Sequence, residues 1–130
     1  MSGSDPTFRH RLRVRYAETD AGGVAHHSSY VAWLEEARTE WMRARGKSYR
    51  EVEAEGFFLL VAEMQIRYLS PSRYDDQLEI SVRAGRRKRA SLELCYEVCR
   101  IDDGRPIATA MTRLACTDTD GQIRRLPGGV

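Results

Sequence analysis

The sequence predicts an α+β domain in which one antiparallel sheet of five or six strands curls round one long central helix. Three observations lead there. A single long stretch carries apolar residues at helical spacing, period-two runs lie before and after it, and glycine, proline and aspartate clusters separate the runs. Each strand has one apolar face and only one long helix is on hand to cover those faces, so wrapping the sheet round the helix is the economical packing. With 130 residues, 42% hydrophobic and 31% charged, the chain supplies one core and is short for two ordinary domains. Residues 1–130 are therefore expected to form one domain, with an ordered core over about 8–126.

Residues 8 to 16 alternate, with Phe8, His10, Leu12, Val14 and Tyr16 on one side and Arg9, Arg11, Arg13 and Arg15 on the other, which predicts a half-buried strand. Glu18-Thr19-Asp20-Ala21-Gly22-Gly23 ends it in a turn. From Ser28 to Arg45 the residues Tyr30, Val31, Trp33, Leu34, Ala37, Trp41 and Met42 recur every three or four positions, as a buried helical face requires. Ser28 or Ser29 suits the N-cap, and Arg43, Arg45 and Gly46 suit the C-terminal end. Ser48-Tyr49-Arg50-Glu51 reads as a capping box opening a short second helix that stops near Gly56.

After Gly56 the period is two. Phe58, Leu60, Ala62, Met64, Ile66 and Tyr68 are expected to share one face; Leu78 to Ala84 and Leu92 to Val98 repeat the pattern. Ser70-Pro71-Ser72 breaks the first of these strands from the second, Asp102-Asp103-Gly104 turns a hairpin, and Ile107 to Thr117 forms a further strand. Asp120-Gly121 turns again before a weak last segment and a Pro127-Gly128-Gly129 tail.

The net charge of +2, from 21 basic and 19 acidic residues, does not suit a dedicated nucleic-acid binder. Lysine occurs only at 47 and 88, so the cations are arginines, the side chain that grips phosphate bidentately. No apolar run reaches the length of a membrane span, and Met1 to Pro6 show no basic-then-apolar leader, so a cytoplasmic protein is expected. Cys95, Cys99 and Cys116 form no Cys-x-x-Cys pair and suggest reduced, packed thiols, neither a disulfide framework nor a zinc site nor a nucleophile.

Residues 14 to 38, Val-Arg-Tyr-Ala-Glu-Thr-Asp-Ala-Gly-Gly-Val-Ala-His-His-Ser-Ser-Tyr-Val-Ala-Trp-Leu-Glu-Glu-Ala-Arg, resemble the signature of the 4-hydroxybenzoyl-CoA thioesterase superfamily, in particular its YbgC-type acyl-CoA thioesterase branch. Tyr68-Leu69-Ser70-Pro71-Ser72-Arg73-Tyr74-Asp75-Asp76 is similar to a second segment of that family. The resemblance implies the hotdog fold, homodimers or dimers of dimers, and active sites at the dimer interface. It places the catalytic carboxylate on Asp20 and two further polar positions on Tyr16 and His27. Two departures stand out: Glu18 replaces the usual aspartate, and His26 stands where an aromatic residue is usual.

The chemistry fits these residues on independent grounds. Thioester hydrolysis needs a nucleophile or activated water, and stabilisation of the oxygen that becomes negative. A turn leading into a helix offers backbone N–H groups and the positive end of the dipole, while the turn glycines allow close approach, so Gly23 and Val24 are candidate substrate contacts. Asp20 attacks directly or orients water; both modes stay open. For His27 the options are to position the carbonyl, to hold Asp20, or to protonate the thiolate, and positioning is favoured because a thiolate leaves readily. Tyr16 would orient Asp20 or the acyl group. The duller readings are a turn aspartate, a helix-entry histidine and a core tyrosine. The His26-His27 pair makes a poor metal site, since neighbouring histidines seldom converge on one ion.

Arg86-Arg87-Lys88-Arg89 falls where a hairpin must turn. A solvated basic turn is one reading; the other, which the resemblance favours, sets Arg87, Lys88 and Arg89 on the phosphates of coenzyme A. The expected function is hydrolysis of acyl-CoA to acid and coenzyme A without metal or other cofactor, with acyl carrier protein as an alternative carrier. A non-hydrolytic acyl-binding or scaffold subunit on the same fold is the competing class.

Overall fold

The computed structural model describes residues 7–130; the opening stretch, in which no leader was read, lies outside the described residues. Strands β1 (Phe8–Arg13), β2 (Phe57–Tyr68), β3 (Gln77–Arg87), β4 (Ser91–Arg100) and β5 (Pro106–Asp118) form one antiparallel sheet in the order β1-β3-β4-β5-β2. Helices α1 (His27–Ala44) and α2 (Tyr49–Ala54) connect the two edge strands, and α1 packs on one face of the sheet. The predicted architecture is thus the observed one, with five strands.

Helix α1 buries Tyr30, Trp33, Leu34, Ala37, Trp41 and Met42 against Leu78, Ile80, Val82, Leu92, Leu94, Val98 and Leu114. Full burial of such side chains contributes about 1.5–3 kcal/mol each, which places the core under the helix. Val31 is exposed and Arg38 is buried in its stead, with its Nε donating to the Tyr49 hydroxyl at 2.7 Å. The N-cap is His26, not Ser28 or Ser29, and Ser29 Oγ donates instead to the Glu18 carbonyl at 3.0 Å. Gly46 takes φ 96° just past the helix end, and the Ser48 box with Glu51 opens α2 as expected.

Two expectations are corrected. β1 stops at Arg13, and Tyr16 lies in a 3₁₀ turn (Tyr16–Glu18), so it does not share the apolar side of the strand. In β2 the pairing with β5 steps from Val61 opposite Leu114 to Glu63 opposite Arg113, leaving Ala62 as a bulge. Phe57 and Leu59 therefore pack on the core before the bulge, and Met64 and Ile66 after it, while Leu60 is exposed on the other face.

The C-terminal segment also returns to the core. Arg124 N–H donates to the Cys116 carbonyl and Leu126 N–H to that of Arg89, and both Leu126 and Val130 are buried. The chain thus stays packed past residue 126, with the Lys47 ammonium bound to the Gly128 carbonyl at 2.8 Å. Among the described residues no helix is long and apolar enough to cross a membrane.

Candidate active site

The turn between β1 and α1 closes on itself. Asp20 N–H donates to the Val24 carbonyl at 2.8 Å and Gly23 N–H to the Asp20 carbonyl at 2.9 Å, with Gly23 at φ 81°, a left-handed conformation that favours glycine. Gly22 has a second reason to be glycine, because a Cβ there would lie 3.2 Å from Asp20 Oδ1. That oxygen accepts the N–H groups of Gly22 at 2.8 Å and Val24 at 3.3 Å. Among the described residues no hydrogen bond reaches Oδ2. One carboxylate oxygen is thus used to aim the side chain, and the other is left untied on a residue that is exposed.

The turn is stitched to its surroundings on both sides. Val24 bridges Arg73, and Ala25 N–H donates to the Ser72 carbonyl at 2.8 Å. On the other side Glu18 is only 9% exposed, and its carboxylate accepts from Arg15 N–H at 2.7 Å, Trp33 Nε1 at 2.9 Å and Arg15 Nη2 at 3.1 Å. Burial opposes its ionisation, but these hydrogen bonds and the guanidinium outweigh burial and hold its pKa below the ordinary value. Its carbonyl accepts from His26 N–H and Ser29 Oγ, so Glu18 ties the turn to the first residues of α1. The sequence marked Glu18 only as a departure. The signal that could have found it was Trp33, a core indole whose N–H needs an acceptor.

No side chain caps α1, and among the described residues the N–H groups of His27 and Ser28 have no acceptor. These are unspent donors at the positive end of an 18-residue helix. Beside them lies an open cleft of about 230 Å³, lined by Val24, Ala25, His27, Tyr30, Tyr68 and Leu69 among others. Val24 at the end of the turn links Asp20 to this cleft, whose lining does not include Asp20 itself. Tyr30 is buried against Trp33, with its hydroxyl 2.9 Å from Ser72 Oγ, and burial raises its pKa. Burial likewise raises the Cys99 and Cys116 thiols, against a nucleophilic role.

Of the residues singled out from sequence, Asp20, Gly23 and Val24 form one turn, and Val24 and His27 line one cleft. Tyr16 does not join Asp20: its side chain is 77% exposed and meets Tyr74 edge-on at 5.6 Å. Arg87, Lys88 and Arg89 lie at the opposite end of the sheet. Arg13 at the Asp20 end pairs with Gln77, the first residue of β3, and Arg87 is the last, so roughly 33 Å of strand separates them at about 3.3 Å per residue. There Arg89 shares a shallow groove with Ile123, Arg124 and Arg125, and Arg87 donates to the Val130 carbonyl. The tail arginines were missed because nothing in their own spacing places them beside the hairpin.

Residues 14–129 match the model of the thioesterase-like superfamily. The chain belongs to this superfamily. It is 44% identical over 96 residues to the acyl-CoA thioester hydrolase YbgC of Escherichia coli O157:H7, spanning 74% of this chain and 72% of that one. Among solved superfamily structures, the DHNA-CoA thioesterase of Staphylococcus aureus superposes with a TM-score of 0.89 at 27% identity, over 92% of this chain and 80% of that one. A 1,4-dihydroxy-2-naphthoyl-CoA thioesterase from Synechocystis shares the fold, with a TM-score of 0.89 at 21% identity over 95% and 92%. In this thioesterase-like chain the superfamily match takes in the Asp20 turn, α1 and the basic hairpin alike.

Proposed function

We propose that this protein is an acyl-CoA thioesterase, releasing a carboxylic acid and coenzyme A, with Asp20 as the catalytic carboxylate. The observation that carries the reading is the geometry of Asp20: one oxygen anchored by backbone N–H groups, the other without a hydrogen-bond partner among the described residues, on a turn that feeds the uncapped entrance of α1. The thioester carbonyl lies against the N–H groups of His27 and Ser28, which take the negative charge as the tetrahedral centre forms. Two routes lead on. Asp20 Oδ2 removes a proton from water that attacks the carbonyl, or attacks it directly to give an anhydride that water then cleaves; either way the C–S bond breaks and the thiolate leaves. Water and these side chains suffice, with no metal or further cofactor. His27 positions the carbonyl, and Gly23 and Val24 let the substrate approach the backbone.

The phosphates of coenzyme A are assigned to Arg87, Lys88 and Arg89, with Arg125 beside them. One protomer cannot offer both ends of its sheet to one substrate, since the pantetheine arm spans far less than the strand. An antiparallel homodimer resolves this. Among the described residues no strand lies beyond β2, and Leu60 and Val61 are exposed on it at 51% and 42%, an edge suited to pairing with its own copy. Two-fold pairing there sets the hairpin of one protomer beside the Asp20 turn of the other, and a dimer of dimers extends the same unit. The three free cysteines agree with work in the cytoplasm.

Thiol release from a panel of acyl-CoA and acyl carrier protein thioesters tests the reading. Wild type turns over at least one ester, and Asp20→Asn lowers kcat on the order of 10²-fold or more with an unchanged melting temperature. No release from any ester, or equal rates for the two proteins, contradicts it.

A further inference from the structure

The side chain of His27 is gripped by one neighbour, Tyr68, the last residue of β2. The two rings are stacked with centroids 4.1 Å apart and planes 18° apart, and the Tyr68 hydroxyl donates to the His27 carbonyl at 3.2 Å. One residue therefore holds both the ring and the backbone of the first residue of α1. Tyr68 is itself held edge-on by Tyr30 at 5.0 Å, and Tyr30 is fixed by its hydroxyl contact with fully buried Ser72, whose carbonyl receives Ala25 N–H. The buttress thus starts from the base of the Asp20 turn and ends on the imidazole.

The bulge at Ala62 is what makes this contact possible. Before the bulge Leu59, opposite Cys116, packs on the core; after it Met64 and Ile66, opposite Thr112 and Ala110, do so, and Tyr68, opposite Ala108, follows on their face. Unbroken alternation from Leu59 would have turned Glu63, Gln65 and Arg67 inward and Tyr68 to the outer face. Tyr68 is 39% exposed and lines the cleft with His27, so it contributes little to the core.

We infer that Tyr68 is a positioning residue for thioester hydrolysis, fixing the ring plane of His27 at the cleft; this rests on the hydrolase reading above. An imidazole at the start of a helix with one face open to solvent turns freely about its side-chain torsions unless something holds it. A stacked ring removes that freedom through dispersion and its quadrupole, worth about 0.5–1.5 kcal/mol between aromatic rings. Orientation of a group that positions the carbonyl changes turnover more than binding.

The test compares Tyr68→Phe, which keeps the stack, with Tyr68→Leu, which removes it, and with Tyr68→Thr as a second ring-free variant suited to a strand. The measurements are kcat and KM on an acyl-CoA ester and the ¹H resonances of the His27 ring. Tyr68→Phe stays within about twofold of wild type, and the ring-free variants lose roughly tenfold in kcat with KM within about threefold. In those variants the imidazole resonances move downfield as the ring current is lost. Wild-type kcat in a folded ring-free variant overturns the positioning role alone, as does a Tyr68→Phe loss equal to that of Tyr68→Leu. A wild type that releases no thiol overturns the hydrolase reading and this inference with it, whatever the resonances do.

Discussion

At the helix-entrance end of the sheet, polar side chains are tied down: Glu18 takes three hydrogen bonds, Asp20 is anchored by two amides, and His27 is pinned by Tyr68. At the hairpin end, by contrast, Lys88 and Arg89 are exposed and among the described residues their side chains make no hydrogen bond or ion pair, while the backbone around them is braced by the C-terminal segment. The first end is built for geometry and the second for charge. Bond making demands atoms held to fractions of an ångström, whereas gripping a solvated phosphate tolerates mobile cations on a firm base. The prediction is that damage at the two ends appears in different kinetic constants.

The largest effect is expected at the first end, where Asp20→Asn lowers kcat on the order of 10²-fold or more without altering the fold, as steady-state kinetics and a thermal melt will show. Next comes Glu18→Gln, which keeps the shape but withdraws a buried charge from Arg15 and Trp33. It should cost about 1–3 kcal/mol in denaturant unfolding. The pH dependence carries a sign. Because the folded-state pKa of Glu18 lies below its ordinary 4.5, the ionised group stabilises the fold fully above that value, and this contribution is lost as pH falls through the lowered pKa. Glu18→Gln removes that component, so its unfolding free energy falls less between pH 5 and pH 3 than that of wild type.

At the second end, Arg87→Ala, Lys88→Ala and Arg89→Ala together should raise KM for acyl-CoA about tenfold at low ionic strength and leave kcat alone. The rise should shrink in salt and vanish for an acyl-pantetheine ester, which has no nucleotide. The smallest effect is expected from Arg125→Ala, about twofold in the same KM.

Much of this division could be read from the chain itself. Period 3.6 in α1 and period two in β3 and β4 are strong signals, because one buried face selects their residues. The Asp20 turn was legible through its glycines and its likeness to a known segment. Three features were not. Phe57, Phe58, Leu59 and Leu60 are all apolar, so alternation there selects no face, and only pairing with β5 reveals the Ala62 bulge that turns Tyr68 inward. Tyr16 continues the alternation of β1 but lies past its last paired residue, where the 3₁₀ turn takes over. Leu126 and Val130 lie in a glycine-rich tail whose burial depends on long-range hydrogen bonds to Cys116 and Arg89. Local pattern records which face is buried, and it is silent wherever a distant strand or a second protomer decides.

On the proposed reading the aimed carboxylate of one protomer and the hairpin cations of its partner serve one substrate, and subunit mixing tests this most directly. Asp20→Asn protomers are unfolded and refolded together with Arg87→Ala/Lys88→Ala/Arg89→Ala protomers, and acyl-CoA hydrolysis is measured below the KM of the triple variant. If the two ends meet across the dimer, each mixed dimer gathers both defects in one site and leaves the other intact, so wild-type KM returns with at most half the wild-type kcat. Activity equal to the sum of the two parents, with no low-KM component, would contradict the account.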